Sequence, residues 1–223
     1  MVFKLYWINF KVGLWNFTEY LQVIAKYYSH WTFAKIDLNL LRGYMLESPY
    51  TVSKNFLLQK GEEDIYAYGE TPLTTLEKMS KACDIKPEDT VFELGCGRGR
   101  TCFWLCEFIG CTVVGIEFIP YFVEQANRVK KASEVKKISF RCEDILLSDL
   151  SKATIIYLYG TCFDEFFIKK LIKKFKKLRS GTKIITISYP LTDYFSDTKI
   201  KLIKSGKASF PWGTTSFYIH FIN

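Results

Sequence analysis

Between residues 90 and 188 the chain alternates two hydrophobic patterns. Short, almost continuous apolar runs at 90–94, 112–117, 137–142, 154–159 and 183–188 are separated by longer segments whose apolar residues recur every three or four positions. Runs of this length with few polar interruptions predict strands buried on both faces, and the segments between them predict helices at about 100–108, 120–132 and 163–178. Pro120 suits a first helical turn, and Ser180-Gly181 suits a helix end. Strands that alternate with helices imply a mostly parallel sheet covered on both faces, a Rossmann-like α/β fold. After Pro190 the pattern changes. Residues 198–205 and 214–222 alternate apolar and polar, joined through Phe210-Pro211-Trp212-Gly213, and predict a terminal antiparallel pair added to that sheet.

The first sixty residues follow a different rhythm. Phe17, Leu21, Ile24, Tyr28 and Trp31 recur at helical spacing, with Glu19 and Lys26 off the stripe, and a second apolar segment at 36–46 predicts a helix ending near Ser48-Pro49. Residues 1–60 are therefore expected to form a helical extension and 61–223 the α/β domain. The first eighteen residues hold Lys4 and Lys11, no acid, and Trp7 and Trp15 among several other aromatics, a composition that also suits a helix lying in a membrane interface. No stretch reaches the ~18 apolar residues of a membrane span. The apolar core at 5–10 is too short for a signal peptide. Residues 61–71 are acidic, aromatic and turn-prone, and Thr71-Pro72 predicts a capped helix start with Leu73, Leu76, Met79 and Cys83 on its buried face.

Composition refines this picture. The chain has 223 residues, 48% apolar and 17% aromatic, so a full core is expected and global disorder is excluded. The net charge of +8 favours an anionic partner or reflects solvated lysine faces. Lys169, Lys170, Lys173, Lys174, Lys176, Lys177 and Arg179 share one helix with Phe167, Leu171, Phe175 and Leu178 inward. That helix is either the solvated cover of the sheet or a docking patch for an acidic protein, an RNA or an anionic membrane. Residues 1–28 are the second candidate for such contacts. Seven cysteines and only His30 and His220 fall at no metal-ligand spacing, which suggests reduced core thiols and no metal. A cytoplasmic location is expected, with peripheral attachment to a membrane as the alternative.

The chemistry concentrates at Glu93-Leu94-Gly95-Cys96-Gly97-Arg98-Gly99, where a strand runs into a glycine turn and then a helix. Glycines at every second position let the backbone turn sharply and lie close to a ligand. Glu93 falls at the carboxyl end of its strand, where open α/β sheets bind ligands. Glu117 closes the second strand, 18 residues after Gly99, a distance that suits hydrogen bonding to ribose hydroxyls. Asp144 closes the third, placed to accept from an adenine amine while Ile145 packs on the ring. A nicotinamide dinucleotide site fits less well. It prefers a third glycine where Arg100 stands, and an acid at the head of the turn repels a pyrophosphate. A ligand without phosphates, such as S-adenosylmethionine, fits this set.

Together these residues resemble the motif set of the class I S-adenosylmethionine-dependent methyltransferases over about residues 62–223. Tyr68-Gly69-Glu70-Thr71 is similar to the loop that covers the cofactor in Dot1-type histone lysine methyltransferases, and the short C-terminal half is similar to the lysine methyltransferases of an ATP synthase subunit. The resemblance implies a seven-stranded sheet with an antiparallel terminal strand. It implies cofactor contacts from Tyr68, Gly69, Glu70, Thr71, Glu93, Gly95, Cys96, Gly97, Gly99, Glu117, Phe118, Asp144, Ile145 and Tyr159, with Tyr68 and Tyr159 beside the transferred methyl group. Tyr68, Tyr159, Phe163, Tyr189 and Trp212 are candidate walls of an acceptor channel. Tyr159-Gly160-Thr161-Cys162-Phe163 stands where Dot1-type enzymes carry an asparagine, and no Asn/Asp-Pro-Pro-aromatic motif of base-amine methyltransferases occurs. The expected function is in-line methyl transfer to a protein lysine. A small molecule or RNA acceptor and a non-catalytic cofactor-binding or membrane adaptor are the alternatives.

Overall fold

The computed structural model describes residues 2–196 and 198–223; Met1, the first residue of the expected extension, lies outside the described residues. Seven strands form one sheet: β1 (Thr90–Leu94), β2 (Thr112–Glu117), β3 (Ile138–Cys142), β4 (Ile155–Leu158), β5 (Lys183–Ile187), β6 (Ile200–Phe210) and β7 (Gly213–Ile222). Their order is β3-β2-β1-β4-β5-β7-β6. The first five strands are parallel, and β7 runs antiparallel to both β5 and β6. The expected α/β sheet and its terminal antiparallel pair are both present. Strand order reverses between β1 and β4, so the carboxyl end of β1 opens into the crevice where such sheets hold ligands.

Side chains alternate across the sheet as the pleat requires. Val91, Val113 and Ile155 face one core, shared with α4 (Leu73–Cys83), α5 (Arg100–Trp104) and α6 (Pro120–Ala132). Phe92, Leu94, Ile156 and Ile184 face the other, filled by Ile168, Leu171, Ile172 and Phe175 of α7 (Glu165–Phe175). Near-continuous apolar runs were needed because both faces are buried. The helix expected over 100–108 keeps α-helical bonding only to Trp104 and continues as a π-helical turn, Leu105–Ile109.

Three helices precede the sheet: α1 (Val2–Tyr27), α2 (Trp31–Gly43) and α3 (Pro49–Lys60). The last of these was not expected. Ser48-Pro49 begins a helix rather than closing one, because the Ser48 side chain accepts from the Thr51 amide and Pro49 takes the first helical position, where no amide hydrogen is needed. A second difference lies at α4. Thr71 does not cap it, because its hydroxyl bonds the buried hydroxyl of Tyr157. Glu19 of α1 supplies the cap instead, accepting from the Thr74 amide at 3.1 Å and its hydroxyl at 2.6 Å.

The N-terminal helices share the core of the sheet. Val23, Tyr27, Phe33, Ile36 and Leu40 are buried in the same cluster as Val91 and Val113. Asp37 is fully buried and holds Arg100, the first residue of α5, through two parallel bonds of 2.6 and 2.7 Å; Tyr28 donates a third at 2.9 Å. Removing one partner of a buried pair leaves the other charge without compensation. Asp37→Ala is therefore expected to lower stability by about 3–5 kcal/mol, read as a fall in the urea midpoint, with a smaller loss for Asp37→Asn. A chain beginning at Glu62 is expected to lose its cooperative thermal transition, which circular dichroism would record.

Candidate functional site

The site is built where β1 ends. Gly95, Gly97 and Gly99 have φ values of +77°, +53° and +78°, in the left-handed region that favours glycine. Two of them also lack room for a side chain. A Cβ at Gly97 would lie 3.0 Å from the Tyr68 ring, and one at Gly99 2.4 Å from the Phe140 ring. Glu117, at the end of β2, fixes the turn. Its Oε2 accepts from the Gly97 amide at 2.8 Å, and its Oε1 accepts from the Phe118 and Ile119 amides at 2.8 and 2.9 Å. Burial raises the Glu117 pKa, and the three amide donors oppose that rise.

Glu93 is also buried. Its two oxygens accept from the Thr101 hydroxyl at 2.6 Å and the Cys102 thiol at 3.0 Å, both in the first turn of α5. Burial pushes its pKa up to about 7 although both donors favour the carboxylate. Above the turn lies the segment Tyr68-Gly69-Glu70-Thr71. Arg98 clamps Glu70 with two bonds of 2.6 and 2.7 Å, and the Tyr68 hydroxyl donates to the same carboxylate at 2.6 Å. Burial pushes the Glu70 carboxyl up, but the Arg98 guanidinium outweighs it and the pKa is lowered. Burial holds the Tyr68 phenol well above its usual range, so it stays protonated.

Two cavities meet at this segment. The inner one, ≈ 20 Å³, is lined by Tyr68, Gly69, Glu70, Thr71, Glu93, Gly95, Cys96, Gly97, Arg98, Arg100, Thr101 and Tyr159. It has room for about one water molecule. The outer one, ≈ 410 Å³, shares Tyr68, Gly69, Glu70 and Tyr159 with it and adds Tyr50, Asp64, Tyr66, Cys162 and Trp212 among others. Its far wall is a stack. Tyr159 lies on Phe210 and Phe210 on Trp212, with ring centroids 5.2 Å apart at each step, and the Trp212 indole N–H donates to the Tyr159 hydroxyl at 3.0 Å.

Nine of the expected contact residues, Tyr68, Gly69, Glu70, Thr71, Glu93, Gly95, Cys96, Gly97 and Tyr159, are brought together around the inner cavity. Five are not: Gly99, Glu117, Phe118, Asp144 and Ile145 line neither cavity. Gly99 begins α5 against Phe140, and Glu117 is turned onto backbone amides. Phe118 packs on Phe56 of α3 at 5.7 Å. The Asp144 carboxylate closes its own turn on the Leu146 amide at 2.7 Å, and Ile145 is buried in the core beneath α7. Among the candidate channel walls, Trp212 lines the outer cavity, whereas Phe163 packs on Phe167 and Tyr189 bonds the Gly160 carbonyl. Arg98, Arg100, Thr101, Tyr50, Asp64 and Tyr66 were not foreseen. The opposite charges of Arg98 and Glu70, each inside a candidate motif, were a legible signal for the clamp. Tyr50 had none, since it depends on the fold of α3.

Known proteins resemble this chain in sequence and fold. Residues 93–198 match the family model described as the ANTKMT methyltransferase domain. A histone-lysine N-methyltransferase specific for H3 lysine-79 from Dictyostelium discoideum is 31% identical over 204 residues, 81% of this chain and 10% of that protein. A sterol 24-C-methyltransferase from Kluyveromyces lactis is 24% identical, covering 79% of this chain and 52% of that protein. A protein-lysine N-methyltransferase from Saccharolobus islandicus is 24% identical, covering 60% and 84%. Among solved structures, an RNA methyltransferase from Salinibacter ruber in complex with S-adenosyl-L-homocysteine is 25% identical, with a TM-score of 0.56 over 69% of this chain and 94% of that one. Fold, glycine turn and these matches support a class I S-adenosylmethionine-dependent methyltransferase. The chain spans about a tenth and about half of the length of the first two relatives.

The residues present fit this methyltransferase family's donor. The turn is held open at Gly97, where a side chain would meet Tyr68, and carboxylates stand at the ends of both β1 and β2. Glu93 gives a pH signature. Its pKa rises from 4.5 in the free side chain to about 7 in the folded protein, so the folded state binds its proton more tightly. The stabilisation this gives is complete below pH 4.5 and is lost as pH rises through about 7. Melting temperatures of the wild type relative to Glu93→Gln are expected to fall across that window. Parallel curves would show that Glu93 is not protonated on folding.

Proposed function

We propose that this chain transfers a methyl group from S-adenosylmethionine to the side-chain amine of a protein lysine. The carrying observation is the outer cavity. It touches the inner one through Tyr68, Gly69, Glu70 and Tyr159, its walls include Tyr50, Tyr66, Tyr159 and Trp212, and its charged lining groups among the described residues are the carboxylates Asp64 and Glu70. Aromatic faces and carboxylates receive a cation, and two relatives are named as lysine methyltransferases. A solved relative is named as an RNA methyltransferase, but a cavity lined, among the described residues, by two acids and by no lysine or arginine is a poor seat for phosphates.

In this reading Glu93, Gly95, Cys96 and Gly97 hold the donor's amino-acid end, and Gly99, Glu117, Phe118, Asp144 and Ile145 serve its adenosine end. The donor supplies an electrophilic methyl group on a sulfonium. The chain's own residues align, desolvate and exclude water, and alignment alone contributes several kcal/mol. Tyr68 lies on Gly97, so the segment 68–71 moves outward to admit the donor and closes over it again through the Arg98–Glu70 clamp. Asp64 meets the incoming lysine as ammonium at the mouth. Deeper in, the aromatic walls disfavour the charged form, so the ammonium gives its proton to solvent water at the mouth and the neutral amine reaches the methyl group. Glu70 is no base here, because Arg98 keeps it ionised and occupied.

Calorimetry with S-adenosylmethionine is expected to show binding by the wild type and at least about tenfold weaker binding by Glu117→Ala, as loss of a buried charged acceptor requires. Absence of wild-type binding refutes the cofactor assignment. Labelled methyl transfer into a lysate should give label that resists RNase and vanishes with protease; the reverse makes RNA the acceptor. With an identified protein acceptor, Asp64→Asn is expected to raise KM several-fold with little change in kcat, since it removes binding at the mouth rather than alignment at the methyl group.

A further inference from the structure

Among the described residues, nothing covers the outward side of α1. Val23 and Tyr27 are buried against the core and Glu19 caps α4, which defines the inward side. On the opposite side Trp7, Phe10, Leu14, Phe17, Leu21 and Ile24 follow one another at three- and four-residue steps, and each is exposed, from 39% at Ile24 to 61% at Phe10. Such spacing places them along one continuous stripe. Tyr6 extends it at 71% exposure. An apolar stripe of this length on a soluble surface marks a contact.

We infer that this stripe lies in the surface of an anionic lipid bilayer. Three observations select that occupant. The stripe is aromatic at Tyr6, Trp7, Phe10 and Phe17, and large rings, with the polar tips of Tyr6 and Trp7 among them, suit the headgroup boundary, whereas the seam of a helix pair uses smaller aliphatic knobs. Apart from Lys11, the residues flanking the stripe, Gly13, Thr18, Tyr20 and Ala25, carry no charges, so no pattern of opposite charges sets the register of a partner helix as it does in coiled coils. The charge is one-sided. The helix's one acid, Glu19, is buried on Thr74, while Lys11 stands at the stripe's edge with its ammonium 5.3 Å from the Trp7 ring. That is the disposition of a cation that reaches headgroup phosphates from an apolar base. Among the described residues no helix is long and apolar enough to cross a membrane, so the helix lies on the bilayer rather than through it. The inward side of the same helix contributes Val12 to the outer cavity. The bilayer surface and that cavity are thus separated by about one helix diameter, 10–12 Å.

Sedimentation of the full chain with vesicles tests this without reference to methyl transfer. The wild type is expected to pellet with vesicles of phosphatidylcholine and phosphatidylserine, and less with phosphatidylcholine alone. Leu14→Glu/Phe17→Glu changes only exposed positions and is expected to weaken binding at least about tenfold, since each charge must enter the apolar boundary. Its melting temperature should stay at the wild-type value, which separates lost attachment from lost folding. A wild type that stays in the supernatant overturns the inference, as does a double variant that pellets as well as the wild type. A concentration-dependent dimer that the double variant abolishes, without vesicle binding, assigns the stripe to a second copy of the chain and overturns it too.

Discussion

Two arginines flank Gly99, and each is held by paired hydrogen bonds to a carboxylate from outside the sheet. Arg98 belongs to Glu70 of the covering segment, and Arg100 belongs to Asp37 of α2. These side chains are largely removed from water. Burying so many charges is tolerable only because each has a partner with matched geometry. The glycine turn has little side-chain mass of its own, so its shape is imposed from outside. Glu117 holds it by backbone amides, and the two arginines tie it to segments far away in sequence.

This arrangement explains why one small motif needs the whole chain. The covering segment reaches its place because Tyr68 lies on Gly97 and packs on Phe122, with ring centroids 5.1 Å apart. The N-terminal helices are not a loose preface, since they add Phe33, Ile36 and Leu40 to the core under α5 and supply the acid that holds Arg100. The segment 68–71 divides the crevice into a nearly closed inner space and a larger outer one. In the proposed reading, donor and acceptor meet across these four residues.

The two basic features of the chain are not one surface. The helix α7 covers the opposite sheet face from α1, and its lysines are partly engaged: Lys169 pairs with Glu165, Lys170 lies over Phe166 and Lys174 donates to the Leu146 carbonyl. Net charge alone suggested a common anionic partner for both. Placement separates them, and only α1 combines a cation with an unpartnered apolar stripe.

The sheet, the boundaries of its five parallel strands within a residue or two and the antiparallel pair at its edge were legible in the sequence, because a strand buried on both faces must be apolar along its length and a half-exposed one must alternate; the first strand of that pair runs five residues further than expected, to Phe210. The glycine turn and its acids were legible for a similar local reason, since positive φ values and strand-end carboxylates leave residue types behind. What the sequence could not decide was which acids would meet which cations. Asp37 and Arg100 are 63 positions apart, and no periodicity links them. Ser48-Pro49 reads equally as an end or a beginning of a helix until the chain packs, and Thr71 reads as a cap until Tyr157 takes its hydroxyl. Only the tertiary structure placed Tyr50, Asp64 and Trp212 around one cavity, because burial and proximity between distant segments are properties of the packed chain and not of any window along it.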